Sequence, residues 1–282
     1  MKRLFSMRSV VVASVLMPTL CPLPAAAADI NGFMPAAGQA TFALSYTIEG
    51  YDEFWAGETL TSAPPVGEVE TTSLTAWFRY GVSDSFAFSL NLPYVDTEGD
   101  GFAGFEDSGI SDLTALGHLR LAEFGSGAAR HSLTGAGGMR FEVGGYEGDA
   151  PVSLGDASND VLLRLVYQVE GNGFYFSQQV GYDWRSDDVP NGAPLHSELG
   201  YTFGERTTVN LFYTRYFADG GSDIGDPGFT FPGNEEEFER VGAKGYFRLA
   251  GGFGLTAAGY TTLDGRNTGD ASGFSLGGVF DF

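Results

Sequence analysis

The sequence ends in GFSLGGVFDF, residues Gly273–Phe282, and the side chains of this stretch sort into two sets. Residues two apart in an extended chain point the same way. Phe274, Leu276, Gly278, Phe280 and Phe282 therefore share one face, and Ser275, Gly277, Val279 and Asp281 share the other. One face is apolar and aromatic; the other is mostly small or polar. The period of two predicts a strand with unlike solvents on its two sides.

The same pattern recurs upstream in eleven segments: 40–49, 72–80, 85–94, 112–121, 132–143, 160–169, 174–184, 195–203, 207–217, 239–249 and 253–263. In 160–169, for example, Val161, Leu163, Leu165, Tyr167 and Val169 share one face, and Asp160, Arg164 and Gln168 fall on the other. A soluble sandwich also alternates, so the connections decide. Short ones (Gly81–Asp84, Gly125–Arg130, Glu170–Gly173, Gly204–Arg206, Ala250–Gly252) take turns with long ones near 54–70, 95–110, 144–159, 185–194, 218–237 and 264–272. Outer-membrane barrels have this rhythm of short periplasmic turns and longer outer loops. Lipid offers no hydrogen bonds, so a sheet that crosses it must close on itself. The expectation is an all-β, transmembrane, antiparallel up-and-down barrel of about twelve strands with both termini on the short-turn side. Aromatic residues fall where interfacial girdles belong. Tyr80, Tyr201, Phe203, Phe247, Phe280 and Phe282 lie at periplasmic strand ends, and Tyr94, Tyr182, Trp184 and Phe217 at outer ends.

Residues 1–28 read differently. Lys2, Arg3 and Arg8 precede an apolar run from Val10 to Met17, prolines break it, and Ala25–Ala28 offer small residues for cleavage. This is the layout of a signal peptide, and the run is too short for a transmembrane helix. Residues 29–282 are then the barrel domain. Cys21 follows Leu20 rather than a small residue, so it is expected to leave with the leader and not to carry a lipid. The mature chain would have no cysteine and 12 basic residues against 36 acidic ones, a net charge of −24. That balance argues against a nucleic-acid partner.

With the apolar faces toward lipid, the opposite faces line a lumen. The register places Arg79, Arg120, Arg140, Arg164, Arg185, Arg240, Lys244 and Arg248 inside, with Glu142, Asp183 and Glu198 among the acids, alongside Glu49, Asp112 and Asp160. Arg240, Lys244 and Arg248 stand four apart on one strand. Such a row guides an anionic solute, unless the charges are tied up as ion pairs bracing the wall. The segment Asp29–Gly38 is long enough to enter the lumen.

Phe274, Leu276, Phe280 and Phe282 resemble the C-terminal signal read by the barrel assembly machinery. The stretch Tyr80-Gly-Val-Ser-Asp-Ser-Phe-Ala-Phe-Ser-Leu-Asn-Leu-Pro-Tyr94, with Ser108-Gly-Ile-Ser-Asp-Leu113 and Leu119-Arg-Leu121, resembles the "MetA-pathway of phenol degradation" family of outer-membrane proteins. The resemblance implies a barrel concerned with hydrophobic or aromatic compounds and carries over no binding residues.

No catalytic site is expected. Some twelve-stranded outer-membrane barrels are phospholipases, resembling a His-x-Ser arrangement on the lipid-facing side. Here His131-Ser132 and His196-Ser197 are adjacent pairs whose side chains point to opposite faces, and His118 is followed by Leu119 and Arg120. Asp96, Glu98, Asp100 and Asp107 resemble a calcium loop in spacing, though predicted strands flank them. No cofactor is expected beyond Ca2+ or Mg2+ at the outer loops, whose acids (Asp52, Glu53 and Glu58; Asp219, Asp223 and Asp226; Glu235, Glu236 and Glu237) repel one another unless cations screen them. The expected partners are outer-membrane lipid and lipopolysaccharide, the barrel assembly machinery and a small-molecule solute. The expected function is a channel, porin-like and without enzyme activity, for small solutes, hydrophobic or aromatic ones included. The alternative is a structural or adhesive barrel with a closed lumen and cation-binding outer loops.

Overall fold

The protein is described from a computed structural model covering residues 29–62, 67–101, 105–125, 129–150 and 152–282; the expected leader lies outside the described residues. All regular structure among them is strand: β1 (Ala40–Tyr51), β2 (Glu53–Ala56), β3 (Thr59–Ser62), β4 (Val69–Ser83), β5 (Phe86–Gly99), β6 (Phe105–Ile110), β7 (Leu113–Phe124), β8 (Arg130–Phe141), β9 (Asp160–Gly171), β10 (Phe174–Trp184), β11 (Asn191–Phe203), β12 (Thr207–Asp219), β13 (Glu237–Arg248), β14 (Phe253–Arg266) and β15 (Ser272–Asp281).

Twelve of these make the wall. Each pairs antiparallel with its sequence neighbour in the wall, and β1 pairs with β15 as well as β4, so the sheet has no free edge. The closing seam runs from Thr41↔Asp281 to Gly50↔Ser272, which sets Phe42 beside Phe280 and Ile48 beside Phe274. All twelve predicted segments are present, β10 with the same bounds and several others longer at their outer ends. Two pieces of structure in the long loops were not foreseen. β2 and β3 form a separate hairpin, and β6 pairs with the outer half of β5, while the inner half of β5 pairs with β7. β2, β3 and β6 are short and lie in the long loops, with too few residues each for a period of two to announce a strand.

The side chains are sorted inversely to a water-soluble protein. Large apolar groups face out, such as Leu211, 60% exposed, and Phe282, 63% exposed. The buried set is rich in Ser, Thr, Asn, Gln and charged groups. Hydrocarbon solvates the first set, and the second must find hydrogen bonds within the lumen. β9 shows both. Val161, Leu163 and Leu165 point out, and Asp160, Arg164 and Gln168 are buried inside. β9 and β10 are joined by a two-residue turn with φ of 54° at Asn172 and 84° at Gly173. Positive φ at both central positions is the hairpin geometry that matches strand twist, and Asn-Gly adopts it readily.

Candidate functional site: the lumen and its inner segment

Residues 29–35 run inside the barrel, and exposed residues 36–38 lead from the short-turn end into β1, with Gly38 N–H on Gly81 O (2.8 Å). The backbone of 29–35 is held by side chains of the wall. Ile30 N–H donates to Gln179 Oε1 (2.8 Å) and Gly32 N–H to Gln168 Oε1 (2.9 Å). Arg79 donates to Phe33 O (2.8 Å), and Arg120 donates to Gly32 O. Asn31 Nδ2 donates to Glu198 Oε2 (3.2 Å), and Gln179 Nε2 to Asp29 Oδ1 (3.2 Å). The Phe33 ring meets Tyr175 edge-on at 4.9 Å. Gly32 lies so close to the wall that a Cβ there would come within 2.6 Å of Gln168 Cβ. The segment thus fills the middle of the lumen. Gln168, Gln179 and Tyr175 were not singled out in the sequence. Their signal in the sequence was long amide side chains at inward positions of β9 and β10, where a lumen-facing donor and acceptor needs a partner.

Most of the inward charges are paired. Arg164 forms a two-point pair with Asp183 on β10, its Nη2 lying 3.2 Å from Oδ2, and both side chains are almost wholly buried. Gly181 makes room for it, since a Cβ there would meet Arg164 Cδ at 2.6 Å. Arg140 lies 3.2 Å from Asp160 and 3.5 Å from Asp156, and Arg185 contacts the same two acids. Burial opposes the charge on Asp156, yet Arg185 and Arg140 hold its carboxyl below the ordinary range. Lys244 Nζ is 3.2 Å from Glu198 Oε1 and 4.9 Å from the centre of the Phe212 ring. Arg120 pairs with Glu123 (2.9 Å). Arg248 ends β13, its backbone N–H on Arg206 O (2.7 Å). Glu142 stands just past β8, where it accepts from Gly145 N–H in the following loop. Arg240 differs. Its guanidinium rests 4.4 Å from the centre of the Phe238 ring and 5.3 Å from that of Tyr260, without a carboxylate within ion-pair distance among the described residues. The row Arg240, Lys244, Arg248 is therefore not a ladder of free cations.

Above the inner segment the lumen is hollow. An inner chamber of about 390 Å3 is lined by Asp29, Thr47, Thr114, Arg164, Asp183, Tyr216, Phe238 and Tyr260, among others. An outer chamber of about 290 Å3 lies over it, lined by Tyr51, Phe54, Val152, Val189, Ile224 and Phe231. The two share Glu49, Thr71, Ser153, Gly155, Asp156, Arg185, Glu236 and Arg240, which ring the level where they adjoin. Below, beside Asn31, Arg79, His118 and Lys244, the space shrinks to about 20 Å3. Loop 220–236 roofs the outer chamber and is fastened by Arg266. That guanidinium binds Asp223 through Nε–Oδ1 and Nη2–Oδ2, both 2.8 Å, and reaches Glu235 at 3.1 Å. Hydrogen bonds from Arg266 and Asn267 hold the Asp223 carboxyl below its usual range.

The other candidates are placed as follows. Ser89 and His118 Nε2 are hydrogen-bonded inside (2.8 Å) with no acid completing a relay, Nδ1 having no partner. His131 stacks on Phe124 at the outer surface while Ser132 is buried in the lumen. His196 faces in, bonded to Thr214 (2.7 Å) and 3.3 Å from Asp29, while Ser197 bonds Gln178 (2.8 Å). Asp96 and Glu98 are exposed on β5, whereas Asp107 pairs opposite Thr97, whose side chain is buried on the other face. Asp100 accepts from Glu68 N–H (2.7 Å). The hairpin thus spreads the four carboxylates instead of wrapping them round a point, and no group of three or more metal-ligating residues is gathered among the described residues. Phe274, Leu276, Phe280 and Phe282 all stand on the lipid-facing side of the closing seam.

A family model described as "Putative MetA-pathway of phenol degradation" matches residues 52–277. None of the curated proteins matches the chain. Among solved structures, the crystal structure of an outer membrane channel from Pseudomonas putida F1 is 16% identical, with a TM-score of 0.72 over 89% of this chain and 97% of that one. The NanC porin (9% identity, TM-score 0.49, 84% and 98% covered) and the KdgM porin in complex with disordered oligogalacturonate (10%, 0.48, 85% and 99%) are more distant. The chain therefore shares the closed-barrel fold of the Pseudomonas putida outer membrane channel.

Proposed function

The chain belongs to the "Putative MetA-pathway of phenol degradation" family, and from that premise we propose that it is a passive channel for small solutes, hydrophobic or aromatic ones among them. The observation that carries this reading is the hollow itself: two adjoining chambers inside a closed barrel whose outside is apolar. Each chamber mixes the two kinds of surface: Phe54, Val189, Ile224 and Phe231 above and Tyr216, Phe238 and Tyr260 below offer apolar faces to a ring, and the charged and hydroxyl groups beside them supply orientation. Passage needs no cofactor, and movement runs down a gradient. A continuous path requires the segment 29–35 to leave its seat, and its anchoring by wall side chains rather than by sheet pairing allows this.

The setting we propose is the bacterial outer membrane, entered after removal of residues 1–28, with the barrel assembly machinery reading Phe274, Leu276, Phe280 and Phe282. Lipopolysaccharide would meet the acidic outer loops, with Ca2+ or Mg2+ as the bridge. No enzymatic step is proposed, since the inward Ser89–His118 pair has no carboxylate partner. Single-channel recording of the purified protein in planar bilayers tests the reading. Discrete current steps are expected. A barrel that stays silent, even with the inner segment loosened, would refute it in favour of a structural barrel with a closed lumen.

A further inference from the structure

What a lumen selects is set by the charges its own ion pairs leave uncompensated where the path is narrow. Arg164–Asp183 and Lys244–Glu198 cancel within the wall, and Arg140 and Arg185 are taken up by Asp156 and Asp160. Three charged groups lining both chambers have no ion-pair partner among the described residues: Glu49, Glu236 and Arg240. The Glu49 carboxylate has neither a hydrogen bond nor an ion pair among the described residues. Arg240 has no counter-ion either, but ring faces of Phe238 and Tyr260 take up part of its field. Nothing performs that service for Glu49.

The surroundings tilt the balance the same way. Six carboxylates and four guanidinium groups line the inner chamber. In the outer chamber the tally is three against two, and aromatic faces of Tyr51, Phe54 and Phe231 are available there. The mouth above carries the acid-rich loops. Glu236, the other acid without an ion pair at this level, accepts from Thr268 (3.0 Å). An entering anion meets one ring-bound cation and several acids. An entering ammonium meets a bare carboxylate and aromatic faces, the two groups that bind organic cations.

We infer that Glu49 sets the charge preference of the path, so that small aromatic ammonium ions pass ahead of aromatic carboxylates of the same size. The inference rests on the channel reading above. Arg240 is the opposing residue, which limits how far the preference goes.

The experiment uses the purified full-length barrel in a planar bilayer under a tenfold gradient of 2-phenylethylammonium phenylacetate, a salt whose two ions carry matched rings. The sign and size of the reversal potential give the permeability ratio directly. Wild type is expected to favour the ammonium by about fivefold or more, in line with field-focusing in a charged cleft. Glu49→Gln, nearly isosteric, should bring the ratio to within about twofold, and Arg240→Gln should raise it. Retained KCl current in each variant shows that the barrel is folded and open. A reversal potential at zero or on the anion side in wild type, or a ratio unmoved by Glu49→Gln, overturns the inference while the KCl current leaves the channel reading standing. A barrel that passes no KCl current even with the inner segment loosened by Phe33→Ala overturns both.

Discussion

Replacing Phe33 by Ala should open the lumen without harming the barrel. Phe33 is buried, 8% exposed, and its ring packs edge-on against Tyr175 at 4.9 Å. Burial of a phenylalanine side chain is worth roughly 1.5–3 kcal/mol, and an edge-on aromatic pair adds about 0.5–1.5 kcal/mol. The backbone anchors survive the change, because Arg79 binds Phe33 through its carbonyl oxygen and Gln168 and Gln179 bind the backbone N–H groups of Gly32 and Ile30. The seated state should therefore lose about 2–4 kcal/mol, which at 1.4 kcal/mol per decade raises the unseated population roughly 30- to 1,000-fold. Residue 33 precedes β1, so strand pairing is untouched. Two measurements read this out. Open probability in planar bilayers should rise. In an Ile30→Cys background, labelling by a membrane-impermeant maleimide should speed up by the same order. If both rates stay at their wild-type values while the barrel remains folded, the segment is not held by this packing, and the account of the seat is wrong.

Other consequences are as direct. Asp183→Asn removes the charge that compensates Arg164 in a nearly water-free setting, and should lower barrel stability by about 3–5 kcal/mol in denaturant titrations in detergent; the double change Arg164→Met, Asp183→Leu should cost less, and the reverse order would contradict a desolvated pair. Leu211→Arg places a cation on the lipid face at a residue 60% exposed, and should destabilise the folded barrel in bilayers by about 2–4 kcal/mol if the position is near the midplane. The clasp of loop 220–236 should be pH-dependent. Asp223 has a lowered carboxyl pKa when bound to Arg266 and Asn267, so the contribution of the clasp is complete above the ordinary value of 3.8 and is lost as pH falls through the lower bound-state value. Hydrogen exchange in residues 220–236 should accelerate in that acid range, and Arg266→Ala should give the fast rate already at neutral pH.

The sequence by itself determined the strands, their number and which side of each meets lipid. That information is local. A two-residue period follows from backbone geometry, and only a wall between hydrocarbon and a polar interior keeps it through twelve segments such as Leu74–Ala76–Phe78–Tyr80 and Phe274–Leu276. The Gly57–Glu58 turn between β2 and β3 was a legible hairpin signal of the same local kind, overlooked because its flanks do not alternate. Which inward charges cancel was decided by the tertiary structure. Arg164 and Asp183 meet because β9 and β10 pair with Gly181 opposite Arg164, and Lys244 reaches Glu198 across β12. Asp223 and Arg266 lie 43 residues apart, and the inner segment rests on glutamines 136 and 149 residues away. Barrel closure and loop paths fix those distances. Periodicity along one strand holds no record of what stands across the lumen, and so Glu49 looked like any other inward acid until its neighbours were seen to be paired with one another.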